Sequence, residues 1–117
     1  MNHQTAKRLH DAAIALTRIQ RYVARRSFAE YEADDYFRSA VERQFEILAE
    51  SLNVAARYDN TLEDRIPEIR VLVGLRNRIA HEYDELDDQV IWDTIEQDLV
   101  GLSIHLSEVV EDLPPPG

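Results

Sequence analysis

The sequence predicts an all-α protein, an antiparallel up-and-down bundle of four helices. Apolar residues recur at three- and four-residue steps in four long stretches, the periodicity of amphipathic helices. Punctuation for hairpins is scarce, with three glycines in the chain and prolines confined to position 67 and the run 114–116. At 117 residues a single domain is expected, small enough that association with a second copy would help to bury surface. Its expected extent is residues 1–113, with Pro114-Pro115-Pro116-Gly117 as a Pro-rich tail.

The first helix is expected from about Gln4 to Arg25, on the stripe Leu9, Ala12, Ala13, Leu16, Ile19 and Val23, with Asn2 or Thr5 as its cap. Arg18, Arg21, Arg25 and Arg26 load its C-terminal end, where positive charge suits the helix macrodipole; the alternative is that Arg25 or Arg26 adds to an RNA-binding rim. Residues 27–32 form a connector. The second helix, about Asp34 to Tyr58, has the stripe Phe37, Ala40, Val41, Gln44, Leu48, Ser51, Leu52 and Ala55, with Ile47 on its flank. Arg38, Glu42 and Glu46 stand four apart and read as a solvated face. After a polar loop over 59–65, Pro67 suits the first turn of the third helix, where no amide donor is needed. That helix runs to about His81 or Tyr83. Five carboxylates follow between Glu82 and Asp88, of which Asp87 and Asp88 can start the fourth helix. It spans about Asp88 to Glu111, with Ile91, Ile95, Leu99, Leu102, Leu106 and Val109 facing inward.

Composition narrows the function. Without cysteine there is no disulfide framework, thiolate zinc site or cysteine nucleophile. No apolar run approaches the roughly 20 residues of a membrane span, and the N-terminus lacks the apolar core of a signal peptide, so a cytoplasmic protein without membrane contact is expected. A net charge of −10 argues against non-specific nucleic-acid binding. The charge is uneven, however. Residues 1–58 hold nine Lys or Arg against eight Asp or Glu, and residues 59–117 hold four against fifteen. Those four are Arg65, Arg70, Arg76 and Arg78, all just before or within the third helix, which allows a local cationic site on an acidic body. No helix carries a Glu-x-x-His pair, and His81-Glu82-Tyr83-Asp84-Glu85 lacks the second histidine of a zinc-protease motif. Neither a metal nor a cofactor is expected, and His3, His10 and His105 read as structural or incidental.

The third helix concentrates the unusual choices. Ile69, Leu72, Val73, Leu75, Ile79 and Ala80 share one broad arc, with Arg76 near its middle and Tyr83 beside it. Arg70, Gly74, Asn77 and His81 share a narrower stripe. A mid-helix glycine costs roughly 1 kcal/mol relative to alanine, and a close backbone approach on that stripe would explain it. An arginine among apolar residues is also unfavourable unless it is paired or lines a cleft.

The spacing Arg76-x4-His81-x-Tyr83, opened by Arg76-Asn77 and preceded by Gly74, resembles the HEPN superfamily and more narrowly the HepT-like toxins of HepT/MNT toxin–antitoxin pairs. The run from Arg38 to Glu50 is similar to that family's second helix, and Val90-Ile91-Trp92 with Glu96-Gln97-Asp98-Leu99 to its last. The resemblance covers about residues 34–110. Where many relatives read Gly-Glu-Ala, this chain has Ala49-Glu50-Ser51, a departure that bears on local packing more than on chemistry. The resemblance implies a homodimer, or a higher oligomer, whose two motifs meet in a two-fold cleft. It implies an endoribonuclease acting on RNA, with tRNA among the substrates to test. It also implies that an MNT-type nucleotidyltransferase antitoxin silences the chain by transferring AMP to Tyr83.

The residue chemistry is compatible with cleavage that needs no metal. His81 can act as base or acid near neutrality. Arg76 offers two parallel hydrogen bonds to phosphate oxygens, and Asn77 can donate to phosphate or hold one imidazole tautomer. Arg70 and Arg78 are candidate RNA contacts. Positions 76 and 81 lie about 140° apart on a continuous helix, so convergence requires the helix to end or bend near His81, or a second subunit to close the site. A purely structural reading stays open, in which Arg76 pairs with a carboxylate such as Glu50, His81 caps a helix end and Tyr83 is a core-edge aromatic. A non-catalytic HEPN module that binds nucleotide or assembles with a nucleotidyltransferase stays open too, as does a structural helical dimer.

Overall fold

The computed structural model describes residues 2–81 and 88–113, with the backbone but not the side chains of residues 78–81. Among these residues the protein is all helix: α1 (His3–Val23), α2 (Phe28–Ala33), α3 (Asp35–Tyr58), α4 (Leu62–Arg65), α5 (Glu68–His81) and α6 (Asp88–Glu111). The four long helices are those the periodicity predicts. The two short ones occupy stretches expected to be connector and loop.

Local sequence explains the starts. Asn2 accepts the Gln4 amide at 2.7 Å and caps α1, while the other expected cap, Thr5, is fully buried. Ser27 and Glu30 form a reciprocal capping box, which is why the connector folds into the single turn of α2. Asp34 accepts the amides of Tyr36 and Phe37 and starts α3. Asp59 binds both the amide and the hydroxyl of Thr61, which holds its carboxyl below the usual range. Arg25 turns the chain out of α1 at φ 62°, the left-handed region that side chains seldom adopt.

Contacts along the helices define their directions. Arg8, early in α1, shares a groove with Ile47 and Ser51, late in α3, whereas Arg26 lies 4.0 Å from the ring of Phe37 at the start of α3. Those two helices are therefore antiparallel, and theirs is the most extensive packing in the molecule. Glu68 opens α5 and meets His105 late in α6, so these two are antiparallel as well. One core unites the four, built on Leu9, Ile19, Val41, Phe45, Leu48, Leu52, Leu72 and Leu102. All six inward positions expected on α6 are buried. On α3 the expected stripe needs correcting, since Ala40 is exposed while Phe45 and Ala49 are wholly buried. The α3 face turns toward the larger ring, whose removal from water is worth more than that of a methyl group.

The face of Arg38 and Glu42 is not simply solvated. The Arg38 guanidinium donates to the carbonyls of Tyr31, at 3.3 Å, and Glu32, pairs with Asp35, and lies 3.9 Å from Asp88. It thus ties α2, α3 and α6 together beside the aromatic cluster of Phe28, Tyr31, Phe37 and Trp92. Burial, reinforced by the Asp88 charge, pushes the Glu42 carboxyl up. No described helix is long and apolar enough to cross a membrane.

Candidate functional site

Residue Arg76 sits five positions before the end of α5, on the side that packs toward α3. Leu72 and Leu75 anchor this part of the helix in the core, leaving the Arg76 side chain about one-third exposed at its edge. Its Nη2 lies 2.7 Å from Glu50 Oε2. The contact is a close ion pair without the angles of a directed hydrogen bond, and Glu50 Oε2, itself buried, has no well-aligned donor. The attraction depends on distance rather than angle, and it holds the guanidinium at the mouth of a groove. The pairing with Glu50 expected under the structural reading is therefore present. It does not exhaust Arg76, whose guanidinium carries five N–H donors.

The groove encloses about 440 Å³ and is lined by Arg8, Arg43, Glu46, Ile47, Glu50, Ser51 and Arg76. That volume suits a ligand of roughly nucleotide size. Three helices supply its three arginines, one each from α1, α3 and α5. The departure at 49–51 is accommodated by packing: Ala49 is fully buried, and Ser51 is buried while lining the groove.

Other expected site residues fall as follows. Asn77 is exposed beside Arg76. Arg70 is also exposed, but its Nε binds Glu63 at 3.1 Å and it does not line the groove. Arg78 and His81 lie on α5, which the backbone follows to His81 as its last residue; their side chains are outside the described residues, and so is Tyr83 altogether. Gly74 is exposed, with nothing within 4 Å of an added Cβ. At the opposite end of α1, Arg26 is engaged by Glu30, Asp34 and the Phe37 ring.

Reading the motif helix alone misses Arg8 and Arg43. A signal for the latter exists in the sequence, since Arg43, Glu46, Ile47 and Glu50 follow the three-, four- and seven-residue spacing of one helix face. Nothing comparable marks Arg8. Among the described residues, no group of three or more His, Asp or Glu side chains is arranged to hold a metal ion.

Comparison with known proteins gives this groove its context. No solved structure matches the chain. A probable ribonuclease HepT of Thermococcus cleftensis is 28% identical over 96 residues, 80% of this chain and 84% of the relative. A putative RNase of Caldanaerobacter subterraneus subsp. tengcongensis is 24% identical over 85 residues, 73% of this chain and 75% of the relative. The family model described as ribonuclease HepT-like matches residues 12–109. The match begins well before the 34–110 of the sequence resemblance and takes in most of α1 as well as α3, α5 and α6. With most of its length matched by that model, this chain belongs to the HepT-like ribonuclease family of HEPN proteins.

Proposed function

We propose that this protein is a metal-independent endoribonuclease and the toxin of a toxin–antitoxin pair. The family match across residues 12–109, within which the Arg76-x4-His81-x-Tyr83 spacing falls, carries the reading. In the proposed reaction His81 removes the proton of a ribose 2′-hydroxyl, and the 2′-oxygen attacks the adjacent phosphorus. The bond to the 5′-oxygen breaks, that oxygen takes a proton, and a 2′,3′-cyclic phosphate remains. Arg76 stabilises charge on the non-bridging oxygens, while Asn77 donates to phosphate or orients the imidazole. Two copies meet along α5 near Gly74, where the exposed backbone accepts a close approach. Arg70 and Arg78 contact RNA outside the reacting linkage. The catalytic domain is residues 1–113, residues 114–117 are a tail, and the pair works in the cytoplasm.

The test is cleavage of RNA, with tRNA included, in EDTA. His81→Ala and Arg76→Ala should each lose about 10²- to 10⁴-fold in rate, with the helical circular dichroism retained. Loss of activity in EDTA and its return with Mg²⁺ would sink the mechanism. Sedimentation should show a wild-type dimer at micromolar concentration that Gly74→Leu weakens, since a close backbone contact tolerates no added volume.

Regulation is assigned to Tyr83. An MNT-type nucleotidyltransferase would transfer AMP from ATP to its phenol oxygen, releasing pyrophosphate and placing bulk and negative charge next to His81. Tyr83→Phe should keep its ribonuclease activity, yet escape silencing when both proteins are co-expressed. Neutralisation of Tyr83→Phe as complete as that of wild type, with no adduct on Tyr83 by mass spectrometry, would show inhibition by binding alone. The acidic balance of the chain, a net −10 without a strong basic stripe in the sequence, favours a second reading, a non-catalytic HEPN module that binds nucleotide or assembles with the transferase. It predicts no cleavage in the same assay.

A further inference from the structure

The groove beside Arg76 has a charge opposite to that of the molecule. The chain carries a net −10, yet here three guanidinium groups face two carboxylates, Glu46 and Glu50. Neutralisation is uneven among them. Arg76 is held by Glu50 at 2.7 Å, whereas Arg43 meets Glu46 only at 3.6 Å with 70% of its side chain exposed. Arg8 has no carboxylate within ion-pair distance among the described residues. A surface pair as loose as that of Arg43 contributes little, so phosphate can displace it at small cost. Ile47 adds an apolar wall between these charges, a surface suited to a ribose or a base face.

We propose that Arg8 and Arg43 form a phosphate-gripping rim that binds single-stranded RNA next to the linkage held at Arg76. The inference rests on the ribonuclease reading and adds to it two residues and the strandedness of the substrate. A guanidinium forms paired hydrogen bonds with phosphate oxygens. Three of them, delivered from three rigid helices, can follow a backbone that carries one charge per nucleotide. An indentation of about 440 Å³ receives one unstacked nucleotide. A-form duplex keeps its bases stacked and offers a wide, shallow surface that would not enter it. Arg8 and Arg43 are binding and positioning residues and take no part in proton transfer.

The experiment uses the full chain with His81→Ala as a cleavage-silent background. It measures binding of a fluorescent unstructured RNA oligonucleotide, and of a duplex of the same length, by anisotropy between about 50 and 200 mM salt. Each phosphate contact to a single strand contributes roughly 0.7 to the salt slope. Arg8→Ala and Arg43→Ala should each lower the slope by that amount and weaken binding about fourfold near 0.15 M salt. Arg21→Ala removes the same charge about 20 Å along α1 from Arg8 and should leave the slope alone. Arg43→Lys should retain it. In the cleavage-competent chain, Arg8→Ala and Arg43→Ala should raise KM severalfold and keep kcat within about twofold. Slopes unchanged from the His81→Ala background, a loss no larger than that of Arg21→Ala, or duplex bound as tightly as single strand would each overturn the rim. The ribonuclease reading fails separately, if the wild-type chain leaves RNA intact.

Discussion

The two ends of α5 treat charge in opposite ways. At the N-terminal end Glu68 is largely buried and lies 2.8 and 3.0 Å from Nδ1 of His105 through its two oxygens. Close by in sequence, Arg65 reaches Asp112 and Arg70 reaches Glu63. At the C-terminal end Arg76 has one carboxylate and opens on a groove whose other arginines are loosely paired or lack an acidic partner within reach. The first end uses polar contacts to tie α4, α5 and the end of α6 together. At the second, three arginines line a groove of about 440 Å³. An acidic bundle can thus be locally cationic by neutralising its arginines where helices are joined and under-neutralising them at one groove.

Exchanging damage between the ends gives the largest effect. Arg76→Ala should cost at least about 100-fold in ribonuclease rate and no more than about 1 kcal/mol of stability, as expected of a partly exposed pair. Glu68→Ala should do the reverse. Losing a carboxylate that hydrogen-bonds across helices should lower stability by about 1–3 kcal/mol, with the rate kept within about twofold. Urea denaturation and a cleavage assay on both variants decide the matter. If Glu68→Ala slowed cleavage as much as Arg76→Ala, the two ends would be one functional unit.

The closed end was the less legible of the two. Apolar periodicity is a strong local signal, so the four long helices and the inward face of α6 follow from it nearly residue by residue. Short α2 and α4 carry too few turns to show a period, although Ser27 with Glu30 is a capping box that can be read directly. Of the two readings open for His105, structural or incidental, the contact with Glu68 supports the structural one; the partner is 37 residues away, and nothing local announces a contact of that range. The four-residue spacing of Arg38 and Glu42 suggests a solvated face, but the partners of Arg38 come from α2 and α6 as well as from its own helix. At the open end, the motif spacing points to Arg76, and Glu50 is the carboxylate expected to pair with it in the structural reading. Arg8 was invisible because α1 joins the groove only through tertiary packing.

Two glycines sharpen the comparison at the scale of about 1 kcal/mol. At Gly101 an added Cβ would lie 2.9 Å from Glu68 Oε2, so the carboxylate must swing and weaken its contact with His105. That loss, roughly 1 kcal/mol, cancels the helix-propensity gain of similar size. At Gly74 an added Cβ meets nothing within 4 Å, and the gain should be kept in full by an isolated chain. Gly74→Ala should therefore melt several degrees above Gly101→Ala under conditions where the protein is monomeric. A fall in stability at Gly74 that grows with protein concentration would instead place a second copy against α5.

The smallest effect concerns the acidic excess at the closed end. Asp98, Gly101 and His105 are spaced along α6 on the side that meets Glu68. Burial, and then the neighbouring Glu68 charge, push the Asp98 carboxyl above its ordinary value of 3.8. The folded state therefore holds that proton more tightly than the unfolded chain does. Just above pH 3.8 the unfolded state binds fewer protons than the native one, so this group's contribution makes stability fall as pH rises through the window. Asp98→Asn removes the penalty while keeping the side chain's shape. It should stabilise the chain at neutral pH by a few tenths of a kcal/mol, the scale of a partly solvated like-charge contact, and confer nothing once the pH is below the unfolded value. Asp59 provides the opposite sign, because its hydrogen bonds to Thr61 favour the ionised form. Asp59→Asn should weaken the chain at neutral pH and become harmless in acid. Chemical denaturation of the two variants and wild type from about pH 3 to 7 reads both effects. If Asp98→Asn were less stable than wild type at neutral pH, Asp98 would be a net contributor to the α5–α6 contact. The closed end would then tolerate three neighbouring titratable groups by pairing them all, and its difference from the open groove would be greater still.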